Sequence, residues 1–381
     1  MMAKARRATG EKRLLIAGGG TGGHVYPGIA LCQAFLDRFP GGRVLFVGTE
    51  RGLEAKILPH YGFEIRFIQV QPLKGRSRLR QMVSLANLPR SGLQALKIIS
   101  EFRPTCVLGV GGYASGPLVA AAAAKGIRTA ILEPNAVPGL TNRLLARLVH
   151  SVFAGLGYDG GHFPAGKTWA IGTPVRKSIK EATARFSQES LLYVPYALQS
   201  KEKFRLLITG GSQGAHSLNR AVVNALTFIN IPHENLEILH QTGYADCDWV
   251  TRQYRSFPAI AVRVFSYIEE MSEAYRTAHL VIARAGASTL TELATMRRPA
   301  VLIPYPGAAD QHQLANAKLF ERAGAAKMIL ESELTGHYLA NIISQFYQHP
   351  EELVSMSNAV GRFHNPMAAE QILDILLPEK K

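Results

Sequence analysis

Leu14-Leu15-Ile16-Ala17-Gly18-Gly19-Gly20-Thr21-Gly22-Gly23-His24 decides how this chain is read. A short apolar run stops at six small residues, Gly18 to Gly23, and a helix-like stretch follows from about Tyr26 to Phe39. Strand, glycine turn and helix in that order open a βαβ unit. The glycines let backbone come close to a ligand, and the first amides of the helix face an anion. Val44 to Val47 reads as the next strand, and Cys106 to Val110 and Thr129 to Leu132 read as further strands of the same sheet.

The pattern then restarts. Arg205 to Thr209 is again an apolar run that meets glycines, Gly210-Gly211-Ser212-Gln213-Gly214, and a helix is expected from about Ala215 to Leu226. Strands are expected at Glu237–Leu239, Val262–Phe265, Leu280–Ala283 and Ala300–Ile303. Alternating strands and helices predict parallel sheets. Two such openings predict an α/β protein of two Rossmann-like, doubly wound domains facing each other across a cleft. Ligands are then expected at the carboxyl ends of the strands. The expected division is a basic extension over 1–13, a first domain over 14–175, a second over 176–350 and a helical segment over 351–381 that can pack back on the first domain. Residues 187–203 show no period and read as a surface connection.

The bulk properties agree. A length of 381 residues suffices for two cores, and 47% hydrophobic against 19% charged residues is a globular balance. The net charge of +15 calls for an acidic partner. No zinc-finger or RNA-binding signature is present, which leaves phosphorylated substrates and anionic membranes ahead of nucleic acid. Cys32, Cys106 and Cys247 are far apart and imply neither disulfides nor a zinc site. No secretory signal is visible, and the longest apolar run, Leu118 to Ala124, is too short to span a bilayer. A cytoplasmic protein, at most peripheral to a membrane, is expected.

Six stretches at expected strand ends carry the candidate chemistry. In Gly18 to His24, His24 is either a helix-start residue with a local hydrogen bond or a general base, since neutral imidazole accepts a proton near pH 7. Alone this loop also fits a dinucleotide-binding dehydrogenase, with Glu50 in Gly48-Thr49-Glu50 as the ribose acid. Gly109 to Pro117 is a second glycine turn, which contains Tyr113. Glu133-Pro134-Asn135-Ala136-Val137-Pro138-Gly139-Leu140-Thr141-Asn142 places polar residues on a loop stiffened by prolines; an ordinary proline-rich turn is the alternative. Gly210 to Ala215 can hold a diphosphate through its amides and the Ser212 hydroxyl. Arg284 to Glu292 leads small residues into a helix, where Glu292 can accept both ribose hydroxyls or simply favour the helix dipole. Pro304 to Ala317 offers Asp310, His312 and Gln313. No second residue has metal-ligand spacing to His312, so no metal is expected.

Taken together, GGGTGGH, GGYASGP, EPNAVPGLTNRLLA, GGSQGA, RAGASTLTEL and PYPGAADQHQLANA, in this order from about Leu14 to Ala317, resemble the MurG family. Those are the peptidoglycan glycosyltransferases that add N-acetylglucosamine to lipid I to make lipid II. The resemblance implies a GT-B fold and inversion at the anomeric carbon, with UDP-N-acetylglucosamine as substrate and no cofactor. It implies donor contacts from Thr21, Gly22, Gly23, Asn135, Arg176, Ser212, Ile268 against uracil, Ala287, Ser288, Thr289, Leu290, Thr291, Glu292 and Gln313. His24 and Glu133 become the catalytic candidates, with Tyr113 and Asn142 on the acceptor side. Lipid I as acceptor implies the cytoplasmic face of an anionic membrane, with other cell-wall synthesis proteins as candidate partners. Leu73, Lys74, Arg76, Arg78, Leu79, Arg80 and Met82 mix cations with apolar residues and no acid, which suits such a surface; a solvated basic loop is the alternative. Another two-domain sugar-nucleotide enzyme (a UDP-N-acetylglucosamine 2-epimerase or a lipid A disaccharide synthase) and a non-catalytic nucleotide-sugar sensor are the competing readings.

Overall fold

β1 (Arg13–Gly18) is paired on both sides, with β2 (Arg43–Gly48) and with β4 (Cys106–Gly111), in parallel. Leu14 to Ala17 are all buried, which is why the run is apolar without alternation: helices cover both faces. With β3 (Ile65–Phe67), β5 (Arg128–Glu133), β6 (Ser151–Ala154) and β7 (Thr168–Ala170) the sheet has seven strands in the order β3-β2-β1-β4-β5-β6-β7. The computed structural model describes residues 11–70, 88–158, 161–185 and 203–378. The expected membrane-facing residues Leu73 to Met82 lie outside the described residues, as does most of the 187–203 connection.

The second sheet repeats the plan with six strands, β8 (Phe204–Thr209), β9 (Leu236–Gln241), β10 (Ala261–Phe265), β11 (Leu280–Ala283), β12 (Ala300–Leu302) and β13 (Lys327–Met328). Their order is β10-β9-β8-β11-β12-β13, again parallel. In each sheet the winding reverses beside the first strand, at β1/β4 and at β8/β11. A crevice opens there beyond the strand ends, as the two-domain reading requires.

The first helix differs from the expectation. It runs over Gly22–Arg38, so Gly22, Gly23 and His24 form its first turn. Glycine is a poor helix former, and the apolar pattern begins only after it; packing overrides the propensity. The chain also crosses between domains twice. Helix Lys177–Arg185 packs on the second domain, against helices Met271–Thr277 and Ala287–Met296. Helix Ala368–Leu376 returns to the first, where Ile372, Leu373 and Leu376 share a core with Leu14, Ile16 and Phe153.

One buried polar network supports the second domain's opening turn. His240, on β9, donates from Nε2 to Asn219 Oδ1 at 3.0 Å and accepts at Nδ1 from the Tyr254 hydroxyl at 2.7 Å. Asn219 in turn donates to Thr242 O at 3.0 Å, and that carbonyl packs against Gly214. Burial lowers the pKa of His240 to about 3, against an ordinary 6.5. A histidine held neutral in this way stabilises the fold fully above pH 6.5. As the pH falls from 6.5 towards 3 the unfolded chain takes up a proton that the folded one refuses, and stability drops by at most roughly 5 kcal/mol. Urea unfolding between pH 7 and pH 4 should therefore show a falling midpoint, and His240→Gln should flatten that slope. An unchanged slope in the variant would rule out His240 as its source.

Candidate active site

The turn after β1 is shaped from inside the protein. Glu54, completely buried, accepts at Oε2 from the Gly20 amide at 2.7 Å and at Oε1 from the Thr49 amide at 2.8 Å and hydroxyl at 3.0 Å. An internal carboxylate thus occupies the anion position that a dinucleotide would need at this turn. Glu50, the ribose acid of the dehydrogenase reading, is exposed. Sequence reasoning missed Glu54, because nothing in Arg51-Gly52-Leu53-Glu54 distinguishes a buried acid from a surface one.

His24 lies in the first turn of the helix, half-buried, with Nδ1 donating to Gly19 O at 3.1 Å. A carbonyl cannot donate, so this bond fixes the proton on Nδ1 and leaves the Nε2 lone pair bare. The ring sits against Gly111, where φ is +98° and any Cβ would fall 2.7 Å from Nε2. Loss of solvent lowers the His24 pKa. Glu133, the Gly19 carbonyl and Glu54 oppose this, and His312 of the second domain adds to it; the balance lies below 6.5. A neutral imidazole at pH 7 is the protonation state a general base requires.

Glu133 ends β5 and is buried. Its Oε1 accepts from the Asn135 amide (3.1 Å) and side chain (2.9 Å), and its Oε2 from the Gly139 amide (3.1 Å) and Asn142 Nδ2 (2.9 Å). These bonds pin the loop over 133–142 at the cleft. There the Asn135 side chain accepts from Asn316 Nδ2 at 3.1 Å and the Ala136 amide donates to Asn316 Oδ1 at 2.9 Å, which joins the two domains. The sequence alone assigns Asn316 no role, although it lies inside the sixth stretch. Tyr113 stands exposed beside this loop's sheet, 46% accessible, while Asn142 is buried.

From the other side, helix Ala287–Met296 points its N-terminus at the first domain's opening helix, and Ser288 Oγ donates to Gly22 O at 3.2 Å. Thr289 is also partly accessible, whereas Ala287, Leu290 and Thr291 are buried, and Thr291 donates back to Ala287 O at 2.8 Å. Glu292 is committed on both oxygens. Arg176 meets Oε1 from Nε (2.9 Å) and Nη2 (2.7 Å), and the Tyr275 hydroxyl donates to Oε2 at 3.1 Å. Burial disfavours the Arg176 charge, but Glu292 more than offsets it and the guanidinium pKa lies above its ordinary value. Arg176 also lies over the Tyr26 ring, 4.5 Å from its centroid, and the Tyr26 hydroxyl bonds Tyr267 across the cleft at 2.8 Å. Ser212 lies half-buried on the turn after β8, Ile268 N donates to Gln241 Oε1, and Gln313 Oε1 accepts from the Tyr305 amide. Thr21, exposed, has its hydroxyl 3.3 Å from His24 Nδ1. Among the described residues no three His, Cys, Asp or Glu side chains cluster as a metal site would need.

The chain matches the N-terminal domain of glycosyltransferase family 28 over residues 14–154 and its C-terminal domain over 205–372. It is 44% identical to the UDP-N-acetylglucosamine–N-acetylmuramyl-(pentapeptide) pyrophosphoryl-undecaprenol N-acetylglucosamine transferase of Anaeromyxobacter sp. (strain K), over 96% of this chain and 92% of that one. The protein of the same description from Syntrophus aciditrophicus is also 44% identical, covering 95% and 97%. The crystal structure of Acinetobacter baumannii MurG superposes with a TM-score of 0.75 at 29% identity, over 97% of this chain and 100% of that one. A UDP-GlcNAc 2-epimerase from Neisseria meningitidis shares the fold alone, with a TM-score of 0.64 at 14% identity over 96% of this chain and 100% of that one.

The Arg176–Glu292 pair buries two charges at the edge of the cleft. Arg176→Ala leaves the buried Glu292 charge with only the Tyr275 hydroxyl, and stability should fall by about 3 kcal/mol. Chemical denaturation measures this directly; a loss below about 1 kcal/mol, the range of surface pairs, would mean that the pair is not held as described.

Proposed function

The chain belongs to glycosyltransferase family 28, and we propose that it moves N-acetylglucosamine from UDP-N-acetylglucosamine to lipid I, with inversion, to give lipid II. The observation that carries this is the meeting of the first domain's opening helix, whose first turn carries His24, with the N-terminus of helix Ala287–Met296, where Ser288 Oγ donates to Gly22 O. One side offers a base, the other an anion site.

The donor side is the second domain. The turn after β8, with Ser212, and the N-terminus of the 287–296 helix meet the diphosphate; backbone amides and the helix dipole supply the charge stabilisation as UDP leaves. Ile268 lies against uracil, and Gln313 and Asn135 meet the sugar. Arg176 meets the phosphates and Glu292 the ribose hydroxyls, with the Arg176–Glu292 contact holding the two side chains beside each other. Thr21, Gly22, Gly23 and residues 287–291 line the donor from the two facing helix starts.

The reaction is a direct displacement. The acceptor's sugar hydroxyl attacks the anomeric carbon, His24 Nε2 takes its proton as the bond forms, and UDP departs with the electron pair. Glu133 positions the acceptor-side loop, with Asn142 anchoring it and Tyr113 beside it. The charge is met without a metal in this scheme.

The acceptor is lipid-linked, so the protein works peripherally on the cytoplasmic face of the membrane. Besides the basic stretch over 72–83, the exposed Leu140, Leu144 and Leu148 recur at helical spacing beside the exposed Arg143 and Arg147, and Leu93 stands 68% accessible on a neighbouring helix. Apolar side chains set among cations suit an anionic interface, each cation adding about 1 kcal/mol near the surface. Among the described residues no helix is long and apolar enough to cross a membrane.

Radiolabelled transfer from UDP-N-acetylglucosamine to a lipid I analogue tests the reading, and no labelled product would overturn it. His24→Ala should cut turnover about 100-fold or more while UDP affinity stays near that of the parent; undiminished turnover would remove His24 from the role. Sedimentation with liposomes should be strong with anionic lipid and weak without it, and Leu144→Glu should weaken it. Binding indifferent to lipid charge would exclude the electrostatic part.

A further inference from the structure

We propose that Glu54 is a positioning residue for the proton transfer, acting on His24 through the one peptide group that joins Gly19 to Gly20. The inference rests on the reading of His24 as the base. The Gly20 N–H donates to Glu54 Oε2 at 2.7 Å, and the carbonyl of that same peptide, Gly19 O, accepts from His24 Nδ1 at 3.1 Å. Carboxylate, peptide and imidazole are therefore connected in series.

Each link has a physical consequence. A hydrogen bond from the N–H to a carboxylate polarises the amide and makes its carbonyl a stronger acceptor. That carbonyl holds the Nδ1–H tautomer and so keeps the lone pair on Nε2. When Nε2 takes the acceptor's proton, the positive charge spreads to Nδ1–H, where the polarised carbonyl and the carboxylate behind it stabilise it. No proton reaches Glu54. The acceptor O–H breaks, the Nε2–H and the new glycosidic bond form, and the bond to UDP breaks.

The carboxylate is built in for this place. It is 0% exposed, and its other oxygen is held by the Thr49 amide and hydroxyl. A Cβ on Gly19 would lie 2.1 Å from Glu54 Cδ, one on Gly52 2.1 Å from Oε2, and one on Gly48 2.4 Å from Cγ, so three glycines clear the space for it. The charged and titratable groups that act on His24 are Glu133 from the end of β5, His312 from the second domain and Glu54 itself, with the Thr21 hydroxyl beside Nδ1.

The test follows His24 itself, by nitrogen chemical shifts in the full chain labelled at histidine, across pH. Glu54→Gln should lower the His24 pKa and reduce the Nδ1–H tautomer. It should also reduce kcat with the lipid I analogue roughly tenfold, with KM for UDP-N-acetylglucosamine nearly unchanged. Thr49→Val removes one donor from the carboxylate, leaves more charge on it and should move the His24 pKa upward. A merely structural Glu54 predicts no such opposite shifts. Should Glu54→Gln fail to fold, the direction seen in Thr49→Val decides. Identical titration of His24 in parent and variants overturns the relay, whatever His24→Ala does to turnover. Opposite shifts with an active His24→Ala would keep the relay and discard the base.

Discussion

Glu54 is a charge taken out of water, and the hydrogen bonds it accepts come from the Gly20 and Thr49 amides and the Thr49 hydroxyl. Burying a carboxylate is costly unless such donors converge on it. The turn between β1 and its helix is shaped by that requirement. With the Gly20 amide committed, the Gly19 carbonyl must face the other way, towards His24. The close approach of Gly19 to Gly111, N–H to carbonyl at 3.3 Å, then seats the imidazole against the end of β4. The position of His24, the shape of the first helix start and the closeness of the neighbouring glycine turn all follow from one buried anion.

The second domain has the same plan with a different interior. Its opening turn, residues 210–215, rests on Thr209, Gln241 and the His240–Asn219–Thr242 chain, with a carboxylate, Asp246, reached through Asn219 Nδ2 at 2.7 Å. One copy of the fold thus fills its glycine turn from within and the other does not. In the reaction we propose, that asymmetry assigns proton handling to one side of the cleft and diphosphate binding to the other.

The architecture was legible because parallel strands covered on both faces must be apolar runs, and both domains begin with one that stops at glycines. Short edge strands such as β7 and β13 carry too few residues to show a pattern. The candidate site was legible where a motif sits at a strand end, as with His24, Glu133 and the 287–292 segment, which the fold brings to the cleft. It was not legible where a partner comes from elsewhere in the chain. Glu54 lies more than thirty residues from Gly20, and Asn316 some 180 from Ala136. The Arg176–Glu292 pair could not be seen for the same reason, since each residue looked free to meet a ligand until the fold brought them together.

The returning helix bears on how the chain is made. Ile372, Leu373 and Leu376 complete a core whose other members begin at Leu14. Domains emerge from synthesis in order, and the usual course is for the first to fold before the second is finished. Here one wall of the first domain's core comes from helix Ala368–Leu376, which follows the strands of the second domain in the chain. The first domain's core is therefore completed by a segment made after the second domain's strands, so the two halves reach their final packing together.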